Sequence, residues 1–301
     1  MKKLLFIVAD GIGNQVETLP AFYALKDKYK CHIDVLNAIP RDKESTNVIF
    51  KDIAKNIYFD YKNIKSSNYF GQVLMYPYFM KKVNHIPFIG EFQKYKDSEK
   101  YSEVKLNIMA SKCEYKKLYC YQAHEALNYI LPQKNSPDII IHDGYSKVSK
   151  LSKKTWLIKS YPKYDELINI LKKNNFTLGS IGIKEEFLEG TIDLTNLKLE
   201  NSLSYMKGCK LFISNDTGTY HLANAIKKNN IVIFTATDTE KNYNRLFHKY
   251  STIIRRQDLI CSPCQRKFGH EYWNKNKKNC KWECQNIEPN FIYEKIIEII
   301  K

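Results

Sequence analysis

Asn215-Asp216-Thr217-Gly218-Thr219-Tyr220-His221 places a carboxylate, two threonine hydroxyls, a glycine and an imidazole within seven residues. The apolar run Leu211-Phe212-Ile213 before it reads as a buried strand. Leu222, Ala223, Ala225 and Ile226 after it recur at helical spacing. The polar cluster therefore sits where a strand passes into a helix. The first N–H groups of a helix have no partner within it, and the helix dipole favours an anion there. Thr217 can add a hydroxyl, Gly218 lets the backbone approach closely, and His221 aims a titratable ring at the same place. Such a set suits a phosphate or diphosphate held beside a reacting group. The competing reading is an ordinary cap by Asp216 or Thr217 with a partly buried histidine.

A second constellation is Cys261-Ser262-Pro263-Cys264, then fifteen residues, then Cys280-Lys281-Trp282-Glu283-Cys284. Two close cysteine pairs across one loop match a tetrahedral four-thiolate site. Iron and zinc both suit thiolate ligands, and four protein ligands make the role structural. The polar and aromatic loop from Gln265 to Asn279 has no core pattern and would gain from such a staple. The other four cysteines, Cys31, Cys113, Cys120 and Cys209, are scattered and read as reduced thiols.

These residues need a frame, and the chain alternates strand and helix from its start. Leu4 to Ala9 reads as a strand, Asp10 to Gln15 as a glycine-containing loop, and Glu17 to Lys28 as a helix with Pro20 in its first turn. Asp138 to His142 reads as a buried strand ending at Asp143-Gly144, and Ser146 to Lys154 as a Lys-rich linker. A second alternating series follows. Its helix Lys163 to Asn174 is amphipathic, and a terminal helix carries Ile292, Ile296 and Ile299. Alternation implies parallel sheets covered on both faces, with ligands beyond the carboxyl ends of the strands. The expected fold class is α/β, with two Rossmann-like doubly wound domains facing a cleft. The expected domains are 1–148, and 149–301 with the cysteine loop at 261–284.

Composition narrows the partners. The 301 residues are 44% hydrophobic and 27% charged, a globular balance, with a net charge of +16. Lysines are spread along the whole chain rather than clustered, so a solvated basic surface is favoured over a nucleic-acid groove. No apolar run approaches the roughly 18 residues that span a bilayer. The apolar start, Leu4 to Ala9, is too short for a secretory signal. A cytoplasmic protein is expected.

Several islands together resemble glycosyltransferase family 9, the heptosyltransferases. They are Gly11-Ile12-Gly13-Asn14 leading to Thr18-Leu19-Pro20-Ala21, His142-Asp143-Gly144, Lys159-Ser160-Tyr161-Pro162, Gly182 to Glu185, Ser214 to Ala225, Phe234 to Asn242, and the cysteine segment. The resemblance implies the GT-B fold and inverting transfer of a sugar, a heptose among the candidates, from a nucleotide-diphosphate donor. It implies donor contacts by Asp216, Thr217, Gly218 and His221. It implies a Lys159 ammonium that neutralises the leaving diphosphate, and a ribose contact at Glu185, with Glu186 as the alternative. In the GT-B frame the C-terminal helix is expected to pack back toward the first domain. The cysteine segment resembles the iron-binding finger of autotransporter heptosyltransferases. Implied acceptors are a glycan, a lipid-linked glycan as in lipopolysaccharide biosynthesis, or a protein hydroxyl. A lipid-linked acceptor would place the protein at the inner face of the membrane.

One departure bears on catalysis. The family commonly has an aspartate, as general base, where this chain has Asn14. A neutral amide cannot take a proton near pH 7. Asp10 and Glu17 are the nearest carboxylates, and Asp10, Asn14 and His221 are the candidate catalytic positions. The chain is read as an enzyme, with a catalytically impaired nucleotide-sugar-binding protein as the alternative.

Overall fold

The computed structural model describes residues 2–8, 11–39, 43–75, 117–144, 157–265 and 280–301. The expected linker at 146–154, most of the loop at 265–279, Cys113 and Asp10 lie outside the described residues.

The chain divides into two compact units, Met1–Tyr129 with Asn244–Phe247, and Ile130–Tyr243 with His248–Lys301. In the first unit, β1 (Lys3–Val8), β2 (His32–Asn37), β3 (Ile57–Tyr58) and β4 (Gly71–Leu74) form a sheet in the order β3-β2-β1-β4. All its pairs are parallel, with Leu4 opposite both Ile33 and Gly71. Leu4, Leu5, Phe6, Ile7 and Val8 are wholly buried, as a strand covered on both faces requires. Helices α1 (Ile12–Val16), α2 (Leu19–Tyr29), α3 (Lys43–Phe50) and α4 (Lys117–Ala123) belong to this unit. Phe6 meets the Phe22 ring edge-on at 5.4 Å, and Phe50 closes the trio. The expected glycine loop at 10–15 is largely helical. Gly11 is extended and caps α1, and Asn14 lies half-buried inside that helix.

The second unit carries β5 (Ile139–His142), β6 (Leu178–Gly182), β7 (Ile192–Thr195), β8 (Leu211–Asn215), β9 (Asn230–Ile233) and β10 (Ser251–Ile254). Their order is β10-β9-β8-β5-β6-β7, parallel throughout. Counted from β5, this is the doubly wound order 3-2-1-4-5-6. The expected boundary at 148 is thereby corrected. β5 pairs with β6 and β8, so the second unit begins at Ile130, before the strand rather than after it. Helices α5 (Tyr164–Lys173), α6 (Leu199–Gly208), α7 (Gly218–Ala225), α8 (Thr239–Asn242) and α9 (Pro289–Ile300) complete this unit.

The terminal helix α9 buries Ile292 and Ile296 in one cluster with Ile139, Leu167, Leu171 and Ile213. It packs on α5 and β8 of its own unit. The cause is the stripe Ile292, Ile296, Ile299 and Ile300, which matches the apolar stripe of α5. Among the described residues no helix is long and apolar enough to cross a membrane.

Candidate functional site

In a doubly wound sheet the strand order reverses between its first and fourth strands, and ligands bind beyond the carboxyl ends at that point. Here those strands are β5 and β8. β5 ends at His142, with Asp143 and Gly144 following, and β8 ends at Asn215, with Asp216 and Thr217 leading into α7. Two of the polar islands are therefore brought side by side.

The two strand ends are fastened to each other. Asn215 donates its amide to Asp143 Oδ1 at 3.1 Å and accepts from the Tyr164 hydroxyl at 3.0 Å. Ser160 donates to the same Asp143 oxygen at 3.1 Å. Tyr164 is wholly buried, and burial first, then the nearby Asp143, raise its pKa far above the phenol value, so it remains a donor.

Lys159 ends a 3-10 turn at Leu157–Lys159 and is half-buried. Its ammonium donates to the Asp216 carbonyl at 3.1 Å and lies 3.8 Å from Asp216 Oδ2. That carboxylate also accepts from Asn242 Nδ2 at 2.9 Å, and Asp216 is only 4% exposed. The aspartate thus faces Lys159 and Asn242, and it fixes a cation beside the start of α7. Thr217 is extended (φ −140°, ψ 176°), makes no side-chain cap, and with Gly218 and Thr219 is half-exposed. The Asp216 that holds the Lys159 ammonium leads through Thr217 directly into α7, so a cation and the first N–H groups of a helix share one turn, an arrangement suited to an anion.

His221 is buried, and its Nδ1 meets His248 Nε2 at 2.8 Å. Burial, then His248 and Lys159, hold its pKa well below the usual imidazole value. At neutral pH it is an uncharged ring, packed against Tyr220 and His248.

Glu185 is exposed on the 3-10 turn Lys184–Glu186 that follows β6, whereas Glu186 is buried. Glu186 Oε2 accepts from Ile183 N–H at 3.1 Å and lies 3.2 Å from His142 Nε2. Nδ1 of the same ring is 2.9 Å from Thr219 Oγ1 and 3.3 Å from Thr217 Oγ1. His142, Thr219 and Asn242 were not singled out as site residues from the sequence. Each lies in a noted island, and the signal available for His142 was its place at a strand end before Asp-Gly.

The cysteine segment is gathered but not closed. Cys264 and Cys284 are buried in one apolar cluster with Ile158 and Ala236, and Cys280 packs against it. Cys261 is exposed. Burial, then the sulfurs of Cys264, Cys280 and Cys261, push the Cys284 thiol up to about 12. Trp282, at φ 57°, donates its N–H to Cys280 Sγ at 3.4 Å. Among the described residues no three of these sulfurs lie within 4.8 Å of one another. The donor set is one that iron or zinc accepts, and the fold collects it in one place at a spacing wider than a ligand shell.

The profile of glycosyltransferase family 9 (heptosyltransferase) matches residues 92–272. A Campylobacter coli protein described as lipopolysaccharide heptosyltransferase 1 is 30% identical over 142 residues, covering 40% of this chain and 40% of that protein. This match spans less than half the relative's length. Among solved structures, the iron-containing dodecameric glycosyltransferase TibC from enterotoxigenic E. coli H10407 aligns with a TM-score of 0.67 at 13% identity, over 99% of this chain and 76% of that one. E. coli heptosyltransferase WaaC with ADP aligns with a TM-score of 0.60 at 13% identity, over 98% and 99%. These likenesses bear out the expected α/β fold with parallel sheets, the GT-B organisation of those enzymes.

Proposed function

The chain belongs to glycosyltransferase family 9, and from that premise we propose that it transfers a heptose from an ADP-linked donor to a hydroxyl acceptor, with inversion. The observation that carries this reading is the Lys159 ammonium, held 3.1 Å from the Asp216 carbonyl at the start of α7 and at the reversal point of a doubly wound sheet. A developing diphosphate charge is stabilised there by a cation and N–H donors already in place. Gly218 admits the phosphate, Thr217 contacts it, and Asp216 acts by fixing Lys159. The exposed Glu185 takes the ribose. His221, as a neutral buried ring, supports the α7 wall. TibC has been described in complex with ADP-D-beta-D-heptose, and this motivates the choice of base and sugar.

Asn14 favours a second reading, a protein that binds the donor and does not turn it over, because no proton acceptor stands at that position. Asp10 is the candidate base under the first reading, with Glu17 the other nearby carboxylate. Structural iron or zinc on Cys261, Cys264, Cys280 and Cys284 belongs to both. The metal would supply a rigid staple for that segment and no catalytic step. Acceptors remain a glycan, a lipid-linked glycan or a protein, the second requiring work at the inner membrane face. Nucleic acid has no part in the reading.

The test is titration calorimetry with ADP, ADP-heptose and UDP-sugars, followed by assay of ADP release. Binding of the ADP compounds with release of ADP supports transfer. Binding without release or hydrolysis on any acceptor supports the second reading. Absence of all nucleotide binding, or an Asp216→Ala variant that binds as the wild type does, removes both.

A further inference from the structure

The connection from β9 through α8 is held by several other elements of the second unit. The Thr235 hydroxyl donates to the Ile158 carbonyl, and the Ala236 carbonyl accepts from Gln265 N–H at 3.1 Å. Asp238 N–H donates to Gln265 Oε1 at 2.8 Å, and Asp238 Oδ1 caps α8 by accepting from Glu240 N–H at 3.0 Å. Arg255 donates to Thr239 Oγ1 at 2.8 Å, and the hydroxyl of the wholly buried Tyr220 donates to the Asn242 carbonyl. The residue these contacts place is Asn242, the last of α8. Its amide donates to Asp216 Oδ2 at 2.9 Å and to Gln265 Oε1 at 3.3 Å.

Donor and acceptor roles in this network follow from one fixed donor. A backbone N–H only donates, so the Gln265 atom facing Asp238 N is the side-chain oxygen. That oxygen only accepts, so the Asn242 atom beside it is the NH2 group. The same group meets Asp216, so Gln265 orients an amide and the amide gives the carboxylate an uncharged donor. The distances show the effect. Asp216 Oδ2 lies 2.9 Å from Asn242 Nδ2 and 3.8 Å from Lys159 Nζ, so its hydrogen bond goes to the amide and not to the ammonium. Lys159 donates to the Asp216 main-chain carbonyl, at 3.1 Å. A carboxylate in direct contact with the ammonium would compete with a diphosphate for it. Resting on the donor-site reading above, we infer that Asn242 and Gln265 are positioning residues that hold the Asp216 carboxylate off Lys159 and so keep the ammonium for the diphosphate. Removing the amide lets Oδ2 close on Lys159. The loss then falls on phosphate recognition and depends on the charge at Asp216.

The experiment is calorimetry with pyrophosphate and with ADP on the full chain, with melting curves to show that each variant is folded. Asn242→Ala is expected to bind both ligands about tenfold more weakly, the scale of one hydrogen bond to a charged group. Asn242→Asp keeps the size of the side chain and loses its amide hydrogens, and it should bind at least as weakly as Asn242→Ala. Gln265→Leu touches neither Asp216 nor Lys159, should lose several-fold, and decides the matter where a change at 242 unfolds α8. The charge dependence is read from a double-mutant cycle. In an Asp216→Asn background no carboxylate can close on the ammonium, so adding Asn242→Ala should cost little further. Wild-type binding by Asn242→Asp, or by Gln265→Leu, overturns the inference. So does an Asn242→Ala loss that is the same with and without the Asp216 charge, which marks a packing role alone. Each of these leaves the donor site standing. A wild type that binds neither pyrophosphate nor ADP overturns the donor site and this inference together.

Discussion

At the residue scale, the proposed site rests on one cation whose place is set by a neighbour. Asp216 gives Lys159 its carbonyl at 3.1 Å and its carboxylate at 3.8 Å, and it engages Asn242 as well. Lys159→Ala is therefore expected to weaken ADP binding about 10- to 100-fold, the range for losing a charge-assisted hydrogen bond. Calorimetry on the folded variant checks this. His221 gives a pH prediction. Its pKa is lowered in the folded protein by burial, then by His248 and Lys159. The unfolded chain binds that proton near pH 6.5 and the folded one does not. Stability is thus full above about pH 6.5 and falls as pH drops toward the folded value, by up to about 1.4 kcal/mol per unit. Denaturant midpoints from pH 5 to 8 should slope less for His221→Gln than for the wild type. The sequence made the cluster at 214–221 legible because its residues are adjacent and bounded by apolar runs. It could not show that Glu186 rather than Glu185 turns inward, since that depends on Gly182 at φ +127° and on His142, forty-four residues upstream of Glu186.

At the element scale, the cysteine segment backs the turn that carries Lys159. Ile158 is buried with Cys264 and Cys284, and Gln285 Nε2 donates to the Ser160 carbonyl at 2.8 Å. Both neighbours of Lys159 are therefore held by this segment. Purified protein is expected to carry iron or zinc by elemental analysis. Cys284→Ser should release the metal, lower the melting temperature, and weaken ADP binding although it touches no ligand. Because the Cys284 thiol is pushed up to about 12, the metal must displace its proton, and metal affinity should fall as pH falls. On the opposite side, Ile296 is wholly buried against α5 and the sheet. Ile296→Ala should cost about 2–5 kcal/mol in denaturant unfolding. Most elements were legible because β1, β5 and β8 are short apolar runs and α5 keeps helical spacing. β7 was missed because its first two residues, Ile192 and Asp193, are exposed and no apolar run marks it. α1 was missed because Gly11 and Gly13 suggested a loop, whereas only Gly11 stands outside the helix. The boundary was misplaced because the partners of β5 lie far along the chain, and local pattern does not carry such pairings.

At the scale of the whole molecule, each unit has its own parallel sheet and buried cluster, so each can melt on its own. The chain leaves the second unit once more, at Asn244–Phe247, where Phe247 stacks on His124 at 5.2 Å and its carbonyl meets His124 Nε2 at 2.6 Å. Spectroscopy can separate the melting of the two units. Trp156, Trp273 and Trp282 all fall in the second unit's part of the sequence, while both units contribute to far-UV circular dichroism. A ligand that binds only the native second unit stabilises it by RT ln(1 + [L]/Kd), about 2.7 kcal/mol at a hundredfold excess over Kd. Saturating ADP should therefore move the tryptophan transition upward and leave an earlier or later dichroism step in place. If one transition describes both probes and ADP shifts them together, the two units unfold as one.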